Sequence, residues 1–176
     1  VAALSAFFLT KDRQEYLKQN VAWHSKMNLN CRLYVLDASK TSLENWAENN
    51  ANVTYMHMPE ASFFERFRKI ESVLRTDFFV ICSDDDFLLP NALDEITNYL
   101  IENKHKNIAS AQGRYLLFDS DVLYPKKVLK HTYSAFDKLK VEGSSPLRRM
   151  LAANSHPIFH YCYSVCKKDV IANFNA

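Results

Sequence analysis

Apolar and polar positions alternate in two rhythms along the first two-thirds of the chain. Ala2 to Leu9 is a short apolar run, which predicts a buried strand, and polar Thr10-Lys11-Asp12-Arg13 follows it. Gln14 to Lys26 carries Leu17, Val21 and Ala22 at helical spacing. Cys31 to Leu36 reads as a second buried strand and runs into Asp37-Ala38-Ser39-Lys40. Thr41 or Ser42 can cap a helix through Leu43, Trp46 and Ala47, and Val53 to Met58 predicts a third strand ending at Pro59. Ser62, with Glu65 three residues on, has the form of a capping box for a helix whose face is Phe63, Phe67, Ile70 and Leu74.

Asp77 to Cys82 is the most strongly apolar strand, and it leads directly into Ser83-Asp84-Asp85-Asp86. Pro90 or Asn91 then opens a helix carrying Leu93, Ile96, Leu100 and Ile101. Further strand regions are expected over Ile108 to Phe118 and Phe159 to Cys166, with a polar, irregular stretch from Asp119 to Ser155 between them. Strand alternating with helix predicts an α/β fold, a mostly parallel sheet with helices on both faces. In such sheets ligands bind beyond the carboxyl ends of the strands. Those ends carry Thr10 to Arg13, Asp37 to Ser39 and Asp84 to Asp86, so three polar clusters are expected to meet in one crevice.

Composition narrows this picture. The 176 residues, 48% hydrophobic and 13% aromatic, suit a single domain over 1–176 and exclude a disordered chain. The net charge of +2 gives no warrant for a nucleic-acid partner, and no apolar run approaches a membrane span. Four cysteines, Cys31, Cys82, Cys162 and Cys166, lack the spacing of a small secreted framework, so a reducing, cytoplasmic setting is expected. Any membrane association would come through segments outside this chain. A zinc set of His156, His160, Cys162 and Cys166 matches no common finger spacing, and a histidine-containing strand is the more usual explanation. The chain opens at Val1 without methionine, and a piece of a longer protein is expected.

Three consecutive carboxylates behind a buried strand repel one another, and partial burial adds to the cost. Acids decorating a helix N-terminus would explain one or two of them. A divalent cation with oxygen ligands, Mg2+ or Mn2+, relieves all three, and magnesium commonly shares its shell with substrate phosphates.

Phe78-Phe79-Val80-Ile81-Cys82-Ser83-Asp84-Asp85-Asp86-Phe87-Leu88-Leu89-Pro90 resembles the DxD region of GT-A fold glycosyltransferases, especially the family 2 type. Thr10-Lys11-Asp12-Arg13 resembles that family's Thr-x-Asn-Arg motif, with Asp12 at the asparagine. Leu36-Asp37-Ala38-Ser39 resembles its Asp-Asp-x-Ser motif, with Ala38 at the second acid. The likeness covers residues 1–108 well, the nucleotide-binding half. It is looser over 109–176, an acceptor-side half expected to be incomplete. It implies a Rossmann-like nucleotide-diphospho-sugar transferase that passes a sugar from a nucleoside diphosphate, most commonly UDP, to a hydroxyl on a glycan or lipid-linked acceptor.

The resemblance further implies that Thr10, Arg13 and Asp37 surround base and ribose, with Asp84 near the ribose. Arg68, or its neighbours Arg66 and Lys69, approaches the nucleotide from the preceding helix. Counting back from Pro90 puts the second DxD position on Asp85, the first choice of metal ligand, with Asp86 a second ligand or a helix-capping acid. His156 and His160, on the acceptor-side strand, are the candidates for contact with sugar or metal. The inverting base of such enzymes lies beyond that strand, and no residue here is assigned to it. A non-catalytic nucleotide-sugar-binding scaffold remains the alternative. A nucleotidyltransferase fits less well, because neither of the two glycines, Gly113 and Gly143, sits in a phosphate-loop motif. An aspartyl-nucleophile hydrolase would need a threonine that Asp84-Asp85-Asp86-Phe87-Leu88 lacks.

Overall fold

The computed structural model describes residues 3–114, 116–117, 131–132, 141–142, 145, 147–149 and 163–172. The strands are β1 Leu4–Thr10, β2 Arg32–Asp37, β3 Val53–His57, β4 Phe78–Ser83, β5 Ser110–Ala111, β6 Leu116–Leu117, β7 His131–Thr132 and β8 Val165–Lys167. The helices are α1 Gln14–Lys26, α2 Glu44–Glu48, α3 Phe63–Val73, α4 Pro90–Glu102 and α5 Asp169–Ala172. The chain divides into two compact units, one of Val1–Gln112 with Tyr161–Ala176, the other Gly113–His160. In the second unit, β6 and β7 pair antiparallel.

The first unit is built on a six-stranded sheet in the order β3-β2-β1-β4-β8-β5. β1 pairs parallel with both β2 and β4, and β2 parallel with β3, while β8 joins β4 and β5 antiparallel. This is the α/β fold expected, a mostly parallel sheet with helices on both faces. The strands read as unbroken apolar runs because both faces are covered. Ala6, Phe8, Leu33, Val35, Val80 and Cys82 pack with Leu17 and Val21 of α1 and Leu93 and Leu100 of α4. Phe7, Tyr34, Leu36, Phe79 and Ile81 turn the other way, against Ile70 of α3, Leu74 and Ile171 of α5.

Capping and burial fix α3. The Ser62 Oγ accepts from the Glu65 amide at 3.2 Å, and the Ser62 amide donates to Glu65 Oε2 at 2.7 Å. Burying Ile70 and Leu74 contributes roughly 1.5–3 kcal/mol each, which sets the rotation of the helix on the sheet. Phe63 does not join that face as its spacing predicts. It lies exposed in the first turn against Phe64 and Phe67. Ile101 is likewise exposed, since Leu93 and Leu100 already define the buried stripe of α4.

Replacing Ser62 with alanine removes one half of the capping box. The expected loss is about 1 kcal/mol in urea unfolding, with the circular dichroism spectrum unchanged. A variant as stable as the parent would mean the cap contributes nothing here.

Candidate nucleotide-sugar site

The sheet reverses direction between β1 and β4: from β1 the chain winds outward through β2 to β3, then returns across to β4. Register aligns Thr10 with Asp37 and Asp37 with His57, and Leu9 with Ser83. The expected clusters therefore stand side by side at one sheet edge, on either side of the reversal. A cavity of about 460 Å³ opens on the β1–β2 side, lined by residues 12–16, Ser39 and Thr41 and by none of Asp84, Asp85 and Asp86. That volume lies in the range of small-molecule sites.

Thr10, the last residue of β1, holds three neighbours. Its hydroxyl donates to Asp84 Oδ2 at 2.6 Å, and its carbonyl accepts from the Ala38 amide at 3.0 Å and from Arg66 Nη1 at 2.9 Å. Asp84 is only 3% exposed. Burial raises its carboxyl above the ordinary 3.8, while the Thr10 hydroxyl and the Arg13 charge pull it back. Arg13 reaches Asp84 Oδ1 at 3.2 Å and Asp85 Oδ2 at 2.5 Å, with its guanidinium carbon 4.7 Å from the centre of the Tyr16 ring. The Asp85 hydrogen bond holds the Arg13 proton more firmly than usual. Asp12 adopts φ 54°, where its amide meets Ser39 Oγ at 2.7 Å.

Asp37 is fully buried, and its carboxylate is occupied by the protein. Oδ1 accepts from the Ser39 amide at 2.8 Å, and Oδ2 from the Tyr55 hydroxyl at 2.7 Å and from Gln14 Nε2 at 3.3 Å. In this arrangement it organises the end of β2. Burial, reinforced by Asp37, pushes the Tyr55 hydroxyl up to about 12, so it remains a donor at neutral pH.

Of the three cations on α3, the structure brings Arg66 to the strand ends. It lies one turn before Ile70 on the same stripe, is 8% exposed, and donates to the carbonyls of Thr10 and Ser62. Burial lowers its pKa, and Asp37 and Asp84 oppose that shift. Arg68 and Lys69 are exposed.

The acidic turn is held by one face of α1. Asn20 Nδ2 donates to the Asp86 carbonyl, Phe87 packs on Trp23 at 5.1 Å, and the Leu88 amide donates to His24 Nε2 at 3.1 Å. His24 Nδ1 lies 2.9 Å from the Asn20 carbonyl, so the neutral ring with its proton on Nδ1 satisfies both contacts. Across the turn, the Tyr163 hydroxyl donates to Asp86 Oδ2 and meets Ser83 Oγ at 2.9 Å. Asp86 is not a helix cap: α4 starts at Pro90 after Leu89, and no acid occupies its first turn. The reading of the acids as helix-terminal decoration is thereby set aside.

No three His, Cys, Asp or Glu side chains among the described residues converge on a point that could hold a metal ion. Asp85 and Asp86 are of the residue type that a divalent cation shared with a diphosphate would use. Both are exposed carboxylates, each engaged through Oδ2 by one neighbour, and Mg2+ or Mn2+ is commonly bound by one or two carboxylates plus phosphate oxygens. Asp37, Asp84, Asp85 and Asp86 against Arg13 and Arg66 also leave two negative charges over. Cys166 is packed in the core with Phe79 and Ile171, unlike a member of the zinc set. His156, His160 and Cys162 lie outside the described residues. Burial pushes the Cys31 thiol up to about 12, which disfavours the thiolate.

No protein-family model matches the chain, and no curated protein matches it in sequence. Among solved structures it is similar to S. aureus TarS, a glycosyltransferase of GT-A-like fold. TarS 1–349 aligns with a TM-score of 0.61 at 12% identity, over 98% of this chain and 49% of that one. TarS 1–349 in complex with UDP-GlcNAc aligns over 57% of this chain and 32% of its own, with a TM-score of 0.47 at 13% identity. A further TarS structure gives 0.47 at 14% identity, over 57% of this chain and 20% of its own. This chain thus spans at most about half the length of these neighbours. The chain shares the fold of the aligned part of TarS 1–349.

Two outcomes follow from the buried groups. Thr10→Val strips a donor from Asp84 and is expected to cost about 1–3 kcal/mol at pH 7. The variant raises the folded-state pKa of Asp84 further, so its deficit should shrink as acid protonates that carboxyl; urea unfolding at pH 7 and 5 tests this. Burial lowers the pKa of His24 from its ordinary 6.5. The unfolded chain then binds a proton that the native chain refuses, so stability falls as pH drops below about 6.5. In His24→Gln that slope should be missing, and an unchanged slope would place the titration elsewhere.

Proposed function

We propose that this chain is the donor-binding part of a metal-dependent glycosyltransferase, taking a nucleoside-diphosphate sugar at the carboxyl ends of β1, β2 and β4. The observation that carries the reading is the convergence of Thr10, Arg13 and Arg66 with Asp84 and Asp85 at the point where the sheet reverses. Sheets of this kind bind nucleotides at that place, and the glycosyltransferase fold of TarS adds independent support.

In this reading buried Asp84 orders the acidic turn through Thr10 and Arg13, and Asp85 and Asp86 are the residues that would hold Mg2+ or Mn2+ beside the diphosphate. Such a cation, when bound, supplies positive charge at the departing diphosphate. Arg13, whose planar fork suits paired phosphate oxygens, adds a second positive group. Tyr163 and α1 hold the acidic turn in place, so the carboxylates need little reorganisation as charge develops. Asp37 acts through Tyr55, Ser39 and Gln14, shaping the cavity wall beside Arg13. The acceptor, a glycan or lipid-linked hydroxyl, and the base that deprotonates it belong to the acceptor side, where His156 and His160 remain the residues to examine. A UDP-sugar is the donor class to try first.

Calorimetric titration of UDP with and without Mn2+ tests the reading. Binding that strengthens with Mn2+, and loses that gain in Asp85→Ala, supports it. If UDP, GDP and dTDP all fail to bind, the chain is not a donor-binding domain.

A further inference from the structure

The structure sets a protein cation against the carboxylate assigned above to the metal. Arg13 spans Asp84 and Asp85, at 3.2 and 2.5 Å, but the two ends of this bridge are unlike. Asp84 is buried and also takes the Thr10 hydroxyl, so it keeps a donor whatever Arg13 does. Asp85 is 39% exposed, and Arg13 is its partner in every polar contact described for it.

We propose that Arg13 is an exchangeable counter-ion. It shields Asp85 until a phosphate draws it away, and by doing so couples the binding of a divalent cation to the binding of a diphosphate. The inference rests on the reading of Asp85 as a metal-facing carboxylate. A guanidinium held against Asp85 Oδ2 opposes any second cation there, both by occupying the oxygen and by repulsion. An ion pair this exposed is easily given up. A phosphate offers the fork two oxygens and a larger charge, so Arg13 gains by moving to it. The side chain is 44% exposed and lies over the Tyr16 ring, which gives the displaced guanidinium an aromatic face and access to water. Coupling of this kind is reciprocal: whatever diphosphate does for cation affinity, the cation does for diphosphate.

The test follows free Mn2+ by electron paramagnetic resonance with the whole chain, with and without UDP. Wild type, Arg13→Gln, Arg13→Lys and Asp85→Asn are compared. The wild type is expected to bind Mn2+ weakly alone and more tightly with UDP. Arg13→Gln should bind Mn2+ alone roughly two- to fivefold more tightly than wild type, and UDP should then add less. Arg13→Lys keeps the charge and should stay near wild type without UDP. Asp85→Asn should lose Mn2+ binding in both conditions. If Arg13→Gln binds Mn2+ alone no better than wild type, while the UDP-dependent gain persists in wild type, the exchange is wrong and the metal reading stands. No Mn2+ uptake by wild type even with UDP overturns both together.

Discussion

The hydrogen bond from the Thr10 hydroxyl to Asp84 is the contact on which the rest of the site depends. It joins the last residue of β1 to the first residue past β4, across the line where the sheet reverses. A carboxylate this deeply buried is tolerable only with donors close by, and Thr10 and Arg13 supply them. The Thr10 carbonyl meanwhile receives the Ala38 amide and the Arg66 guanidinium. A single residue thereby ties the end of β2, the first turn of α3 and the acidic turn to one another.

Much of the fold could be read from the chain because local signals coincided with burial. The runs ending at Leu9, Leu36 and Cys82 became β1, β2 and β4, each ending one residue later than its run. The Ser62–Glu65 pair formed the cap its spacing announces. Arg68 is the first-named cation of α3, but it lies off the i, i+4, i+8 stripe that Arg66 shares with Ile70 and Leu74, and that spacing is the signal that separates the two. Tyr55, Gln14, Asn20, His24 and Tyr163 were not marked by any motif. Their roles arise from contacts between segments 18 to 80 positions apart, which periodicity and propensity do not report.

The acidic triplet also behaves differently from an isolated run of like charge. Each carboxylate already has a protein partner: Thr10 and Arg13 for Asp84, Arg13 for Asp85, Tyr163 for Asp86. Repulsion among them is therefore reduced before any ligand arrives. The stronger electrostatic argument for a cation is the residual charge of the whole strand-end cluster, rather than the triplet by itself. α1 contributes without supplying charge, since Asn20, Trp23 and His24, spaced along one helical face, grip three successive residues of the turn.

Asp12 shows what kind of requirement a sequence motif can encode. At φ 54° the backbone is left-handed, a conformation that aspartate, asparagine and glycine accept and β-branched residues resist. The requirement at this place is thus, in physical terms, a tolerance for one backbone geometry, and aspartate meets it. The position is constrained in shape more than in chemistry, so asparagine or glycine could stand there and keep the loop. Patterns written in backbone angles would track such sites across distances at which patterns written in amino acids fade.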